Sequence, residues 1–234
     1  MVAFAALRVA QITDAHLRGT EGAAAAVVRA LDVEKPDYIV MTRDIVESIS
    51  ALPDLEAWAQ DFPKTRGIFA IRGNHEVWGR IPPVLLANSC EPGGARLLCH
   101  ERVTVPVDNA TSFTVVGVDD PDAGQTIPPE LLQEPLVGPC LWLIHQPGFV
   151  PTADGLVRGQ ANSSPDLILS CHTHGGQVRV PFGPVVTPPG SGHHIAGWYD
   201  DYSGLLYVSR GTETSDINAR LLCPPELPIF RMEG

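Results

Sequence analysis

The chain has 234 residues, 44% of them hydrophobic, and carries 16 Lys and Arg against 27 Asp and Glu, a formal net charge of −11. This length suits one α/β domain, and we expect a single domain over residues 1–234. Proteins that grip a nucleic-acid backbone present basic patches, so the acidic balance argues against a nucleic-acid partner. The five cysteines form no Cys-x-x-Cys pair. A reducing compartment, and therefore a cytoplasmic location, is expected.

The first third of the chain alternates short apolar runs with helical patterns. Strands are predicted at Leu7–Ile12, Tyr38–Met41 and Ile68–Ile71, and helices at Ala23–Leu31 and Leu52–Gln60. Because strand-helix-strand units cross over right-handed, these strands are expected to be parallel. Their nearly continuous apolar character indicates that they are covered on both faces.

Short strands separated by Gly- and Pro-rich loops are typical of the second half. They are predicted at Val103–Val107, Phe113–Val118, Leu141–Ile144, Leu167–Leu169, Val178–Val180 and Leu205–Ser209. Two facing sheets with helices outside would accommodate both halves. A long Pro- and Gly-rich loop from Pro181 to Gly197 is predicted to cover a site or to move.

Residue types that bind metals follow five of the predicted strands. These residues are Asp14, His16, Asp44, Asn74, His145, His172 and His174. Alternate residues of an extended chain point the same way, so each of the pairs Asp14/His16 and His172/His174 can chelate one ion. A mixed Asp, His and Asn set suits manganese, iron, zinc or nickel. We therefore expect these strand ends to meet at one sheet edge and form a metal-centred active site.

Five motifs resemble the calcineurin-like metallophosphoesterase superfamily. In order they are Asp14-Ala15-His16, Thr42-Arg43-Asp44, Gly73-Asn74-His75-Glu76, His145 and Cys171-His172-Thr173-His174. The extension to Gln177-Val178, the pair Asp119-Asp120 and the tail from Arg220 to Glu226 narrow the resemblance. They are similar to a bacterial subgroup of membrane-associated phosphodiesterases that includes a UDP-diacylglucosamine pyrophosphate hydrolase of lipid A synthesis.

The resemblance implies a four-layer α/β/β/α sandwich with two facing mixed sheets and a centre of two divalent ions. Asp14, His16 and His174 would hold one ion and Asn74, His145 and His172 the other, with Asp44 as the bridge. Manganese is the first expectation, with iron, zinc or nickel as alternatives. A hydroxide between the ions would attack phosphorus in line and cleave a phosphodiester or pyrophosphate bond.

The resemblance also implies roles beside the metals. His75 would be catalytic, binding the phosphoryl group and protonating the leaving oxygen, and Glu76 would orient His75. The substrate would be a small phosphoester or a lipid-linked compound such as UDP-2,3-diacylglucosamine. The lipid alternative brings peripheral membrane contact with it. Oligomeric state is not predicted.

Two positions depart from the family pattern, because Arg43 and Cys171 stand where glycine is usual. The Arg43 guanidinium could act catalytically on the substrate phosphate, repel the second cation, or point outward. Cys171 is expected to be a small buried apolar residue, with a thiolate ligand as the alternative. If Arg43 and Cys171 disturb the site, the protein would be a weakened or inactive metallophosphoesterase-like binding protein.

Four further segments have structural interpretations. The pair Asp119-Asp120 is expected to shape a turn, and His193-His194 to lie on the loop surface rather than reach the site. Trp78 and Ile81 are expected to pack in the core, with contact to an acyl chain as the alternative. The tail from Arg220 to Glu226 is predicted to be a final strand with an ion pair.

Overall fold

Two β-sheets face each other in the structure, a computed structural model that describes residues 6–108, 111–128, 130–131, 136–158, 164–215 and 218–233. In spatial order the first sheet contains β13 (Ile229–Met232), β1 (Leu7–Ile12), β2 (Tyr38–Met41), β3 (Gly67–Ala70) and β4 (Ala95–Leu97). Strands β1 to β4 are parallel, and β13 closes the edge antiparallel to β1. The carboxyl ends of four strands therefore lie along one edge.

The second sheet is also mixed. Its order is β11 (Gly197–Tyr199), β12 (Leu205–Val208), β8 (Leu167–Ser170), β7 (Cys140–Leu143), β6 (Ser112–Gly117) and β5 (Glu101–Pro106). The four inner strands are parallel, whereas β11 and β5 are antiparallel to their neighbours. A separate hairpin pairs β9 (Arg179–Val180) with β10 (Gly183–Pro184).

The α-helices whose bounds the structure describes lie mostly in the first half of the chain. They are α1 (Ala23–Glu34), α2 (Leu52–Gln60), α3 (Asn74–Trp78), α4 (Pro83–Cys90) and α5 (Val150–Val157). Helix α1 extends beyond the predicted end at Leu31. Its C-cap residue is Lys35, whose φ of 46° is left-handed. Every helix in the described ranges falls short of the length and apolarity that crossing a bilayer requires.

Three apolar layers hold the elements together. Helices α1, α2 and α4 pack on the outer face of the first sheet, through residues such as Leu31 and Leu55. Val40, Leu141 and their neighbours fill the space between the sheets, and α5 covers the outer face of the second sheet. Alternate residues of one strand enter different layers, as the pleat requires. The predicted four-layer sandwich with two mixed sheets is confirmed.

The predicted strands all exist, and their observed bounds differ by at most two residues at either end. The tail prediction is wrong. Arg220 to Glu226 contains only an isolated bridge from Leu221 to Val178, and the final strand is Ile229–Met232. The ion pair of Glu226 is with Arg210.

Candidate metal centre

The seven predicted ligand residues lie together at the carboxyl ends of the parallel strands. The first sheet supplies Asp14, His16, Asp44 and Asn74, and the second supplies His145, His172 and His174. Each is 5% exposed or less. The site is thus built across the two sheets, from residues far apart in sequence.

Left-handed backbone shapes the loops that carry these residues. Asp14, His16, Asp44, His172 and His174 have φ values of 49°, 38°, 56°, 71° and 49°. Residues other than glycine rarely adopt this region, which costs roughly 1–2 kcal/mol per residue. Such strain persists where the surrounding structure fixes it, and it clusters at functional sites. Here the fixing contacts include the Asp14 amide donating to the Arg43 carbonyl over 2.7 Å.

Asp14, His16 and His174 form the first cluster. His16 Nδ1 donates to Glu47 Oε1 over 2.9 Å, and His174 Nδ1 donates to the Glu213 carbonyl over 3.2 Å. Both Nδ1 atoms are engaged, and the two Nε2 atoms face each other 3.2 Å apart. Neither buried carboxylate oxygen of Asp14 has a hydrogen-bond partner among the described residues. These atoms fit a cation, which would satisfy all of them at once.

The second cluster contains His145, Asp44, Asn74 and His172. His145 Nδ1 donates to the Thr42 carbonyl over 2.9 Å, and its Nε2 lies 2.8 Å from Asn74 Oδ1 and 3.1 Å from Asp44 Oδ2. His172 Nε2 donates to the Pro189 carbonyl over 2.6 Å, which leaves Nδ1 as its ligand atom. Nε2 of His145 thus converges with two oxygens, and a second cation fits in place of the proton that Nε2 would share with them.

The charges of the second cluster favour a positive charge at its centre. Burial alone would raise the pKa of Asp44, but the adjacent His145 lowers that pKa below its ordinary value. Burial likewise opposes protonation of His145, yet the Asp44 carboxylate raises the pKa of His145 well above its usual value. Burial lowers the pKa of His172 to about 4. A neutral His172 is the form that binds a metal.

His75 lies at the open side of the site. Its side chain is 19% exposed, and its ring centroid lies 4.7 Å from that of His16. The His75 amide donates to Asp44 Oδ1 over 3.0 Å, and Nδ1 lies 3.9 Å from Glu47 Oε1. Glu47 therefore stands between His16 and His75. Sequence reasoning missed Glu47, although its position three residues after Asp44, in the same loop, could have indicated it.

Glu76 does not orient His75, so that expectation is wrong. Its buried carboxylate accepts hydrogen bonds from the backbone amides of Gly73, Asp44, Ile45 and Val46, over 2.8–3.2 Å. Glu76 thus links two segments: the loop that contains Asp44, and the start of α3. Gly73 is needed there, since a Cβ at that position would collide with Asp44 Oδ1.

The Arg43 side chain extends away from the two clusters. It points outward from the metal clusters, as the third interpretation expected, but it is fully buried and does not reach solvent. Its Nη2 lies 3.2 Å from Cys90 Sγ, and the charges that act most on it belong to Cys90, Glu76 and Cys99. Substrate contact by Arg43 stays a prediction that this placement does not support. Its φ of 86° explains why glycine is usual at this position.

Cys171 is buried behind His145. Burial raises the pKa of its thiol to about 11, and Sγ donates to the Thr42 carbonyl over 3.1 Å. Sγ lies 3.1 Å from His145 Nδ1, the ring atom opposite the one that faces Asp44. Cys171 Sγ also lies within 4.8 Å of ligand atoms of Asp14 and His145. The protonated thiol fits the small buried residue that was expected.

The acidic pair and the second histidine pair have structural contacts. Asp119 forms a buried ion pair with Arg72. Asp120 Oδ1 accepts from the Asp122 amide over 2.9 Å, as expected for a turn, and burial raises the pKa of Asp120 to about 7. His193 is exposed, but His194 is 7% exposed and packs on tyrosine rings, so the surface prediction is wrong for His194.

The loop from Pro181 to Gly197 lies against the second cluster. Its Pro189 carbonyl accepts the hydrogen bond from His172, and its Gly190, which has a φ of 93°, lies against Gln146 and His172.

Trp78 and Ile81 differ in exposure. Ile81 is 2% exposed and belongs to the core, whereas Trp78 is 60% exposed, so the core prediction is wrong for Trp78.

Known proteins are similar to this chain in sequence and in fold. The chain is 28% identical to the Bacillus subtilis metallophosphoesterase YkuE, covering 99% of this chain and 80% of the relative. It is 30% identical to the Escherichia coli phosphodiesterase YaeI, covering 87% and 73%. Among solved structures, an archaeal phosphodiesterase superposes with a TM-score of 0.51 at 11% identity, covering 97% and 98% of the two chains. An anchor protein of the Plasmodium inner membrane complex gives 0.57 at 12%, covering 97% and 81%.

The sequence profile of the calcineurin-like phosphoesterase family matches residues 7–176. This range contains all seven candidate ligands and His75. Members of the family bind divalent metal ions, and the two buried clusters fit that requirement. The chain is therefore a metallophosphoesterase and belongs to the calcineurin-like phosphoesterase family.

Proposed function

We propose that the protein hydrolyses a phosphodiester or pyrophosphate bond at a centre of two divalent ions, with manganese as the first choice. Asp14, His16 and His174 would hold one ion, Asn74, His145 and His172 the other, and Asp44 would bridge them. The bound ions would acidify a water and neutralise charge on the phosphoryl oxygens. The observation that carries the proposal is the convergence of buried ligand atoms within both clusters, with neither carboxylate oxygen of Asp14 hydrogen-bonded among the described residues.

The remaining steps fall to this chain's own side chains. His75, at the open side of the site, would contact the phosphoryl group and give a proton to the leaving oxygen. Glu47 would hold His16 through Nδ1 and keep its Nε2 directed into the first cluster. Glu76 would fix the Asp44 loop through four backbone amides. These roles need no contact from Arg43.

Two substrate classes fit this chemistry. A small phosphodiester is supported by the phosphodiesterase among the relatives. A lipid-linked compound such as UDP-2,3-diacylglucosamine, with its peripheral membrane contact, is supported by the subgroup motifs alone. We propose the small diester first.

Turnover of bis(p-nitrophenyl) phosphate with Mn²⁺ tests the function. We expect about two ions per chain and measurable hydrolysis by the wild type. His75→Ala should lower kcat roughly 100- to 10,000-fold on a phosphodiester with an alkyl-alcohol leaving group, because a positioned proton donor contributes that much, and much less on bis(p-nitrophenyl) phosphate, whose nitrophenolate leaves without a proton. It should leave both ions bound, because His75 belongs to neither proposed ligand set. His193→Ala, at an exposed histidine, is the control and should change neither quantity. Absence of turnover with Mn²⁺, Ni²⁺, Fe²⁺ and Zn²⁺ alike would contradict the proposal.

A further inference from the structure

Trp78 stands out among the four tryptophans of the chain. Trp58 and Trp142 are buried, and Trp198 packs on the rings of Tyr207 and Phe230. Trp78 is 60% exposed, and its ring centroid lies 5.2 Å from that of His75. The two planes are tilted by 48°, so the imidazole does not lie flat on the indole. A large apolar π-face is thus presented to solvent beside the active site.

The backbone of Trp78 is firmly held despite this exposure. Trp78 is the last residue of α3, between the buried side chains of Glu76 and Ile81. The Gly79 amide donates to the His75 carbonyl over 2.8 Å, and the Ile81 amide to the Glu76 carbonyl over 3.1 Å. Gly79 packs so closely on the Glu47 carbonyl that a Cβ would collide with it. The indole is therefore attached to the same rigid segment as His75.

The position of His75 sets the direction of the leaving group. Under the proposed function, on which this step rests, His75 protonates the leaving oxygen. The group attached to that oxygen must then emerge on the His75 side of the phosphorus, next to Trp78. We propose that Trp78 forms a stacking subsite for a flat ring, an aryl group or a nucleobase, carried by the leaving group of the substrate.

Stacking distinguishes this subsite from a general apolar contact. A flat π-system can lie against the face of the indole and gain dispersion and electrostatic attraction over its whole area. A saturated ring of equal size is puckered and touches the same face at fewer atoms. The subsite should therefore favour flat over puckered rings, and it should tolerate different flat rings.

Two non-hydrolysable phosphonates provide the test. Benzylphosphonate resembles a phenyl phosphate in which a methylene replaces the ester oxygen, and cyclohexylmethylphosphonate carries a saturated ring of the same carbon count. Binding to the Mn²⁺-loaded protein is measured by calorimetry for the wild type, Trp78→Leu and Trp78→Phe. Trp198→Leu, at a tryptophan of similar exposure (56%) that packs on Tyr207 and Phe230, is the matched control.

We expect the wild type to bind benzylphosphonate more tightly than the cyclohexyl compound. Trp78→Leu should weaken benzylphosphonate about five- to thirtyfold and leave the cyclohexyl compound within about twofold. Trp78→Phe should retain most of the preference, and Trp198→Leu all of it. Equal weakening of both ligands, or no weakening, would overturn the stacking subsite. Because binding is read without turnover, failure of hydrolysis itself would be recognised separately.

Discussion

At the scale of single residues, Arg43 combines a strained backbone with a buried charged side chain. Its backbone has a φ of 86°, and its Nε and Nη1 are buried without a hydrogen-bond partner among the described residues. The site tolerates it because the guanidinium is directed toward Cys90 and Glu76, and not toward Asp44. The presence of Arg43 alone is therefore a weak argument for an inactive protein.

Arg43→Gly should leave the metal centre unchanged. We expect about two ions per chain in both proteins, and a turnover within about threefold of the wild type, because the removed charge lies away from the ligand atoms. Elemental analysis and hydrolysis of bis(p-nitrophenyl) phosphate measure these quantities. Lys35→Gly is the control for relief of left-handed strain, because Lys35 is exposed and has a φ of 46°. One ion in the wild type and two in the variant would show that Arg43 displaces a cation.

At the scale of elements, the loop from Pro181 to Gly197 is part of the second cluster's support. The Pro189 carbonyl fixes Nε2 of His172, and the next residue, Gly190, lies so close to Gln146 that a side chain has no room. Composition predicted a covering segment here but not its contact. A backbone carbonyl has no sequence signature, since every residue type has one.

Gly190→Ala should disturb this support. The added methyl would meet Gln146 Oε1 and approach His172 Nε2 to 3.2 Å, so either Gln146 gives up its hydrogen bond to Asp120 or the loop shifts and carries the Pro189 carbonyl with it. We expect Mn²⁺ affinity to fall roughly tenfold or more, as it does when partners of metal ligands are removed. Gly183→Ala is the control in the same segment, because Gly183 also has positive φ but has open space around it. Equal Mn²⁺ affinities of the two variants, measured by calorimetry, would contradict this role of the loop.

At the scale of the whole molecule, both sheets contribute ligands to each of the two clusters. Asp14 and His16 lie opposite His174, and Asp44 and Asn74 lie opposite His145 and His172. Bound ions would therefore tie the sheets together as well as support the chemistry, and their removal should affect stability. Without them, the buried carboxylate of Asp14 has no hydrogen-bond partner among the described residues.

Chelation should lower the melting temperature of the wild type by about 5–10 °C for each ion removed, measured by calorimetry against Mn²⁺-loaded protein. An ion present at 100 times its Kd stabilises by ~2.7 kcal/mol, and a domain of this size shifts ~2–4 °C per kcal/mol. Asp14→Ala should respond less to Mn²⁺. In the presence of chelator, the melting temperature of Asp14→Ala should equal or exceed that of the wild type, because the substitution removes a buried carboxylate that has no hydrogen-bond partner among the described residues. A metal-free Asp14→Ala protein that melts well below the metal-free wild type would contradict this explanation.

The sequence predicted the layers and the ligand types but not the supporting contacts. Buried parallel strands such as Tyr38–Met41 have an apolar run that reveals them, and His and Asp after such strands are recognisable by type. Short edge strands such as Ala95–Leu97 carry too few residues for a pattern. The partners of Glu76 and Arg43 depend on which loops meet in three dimensions, and Trp78 appeared to be a core residue because helices beside sheets commonly bury such side chains.

The Asp14 loop is completed from the far end of the chain. Thr212 donates through its backbone to the Thr13 carbonyl, 199 residues away, and Glu213 donates to Asp14 over 3.0 Å. At about 5–20 residues per second, a ribosome needs roughly 10–40 seconds to pass from one segment to the other. For most of that interval the nascent polypeptide lacks His174, and throughout it lacks the Glu213 carbonyl that orients His174. We therefore expect selection among cellular cations to occur after translation, on a finished fold, and not on a half-made one.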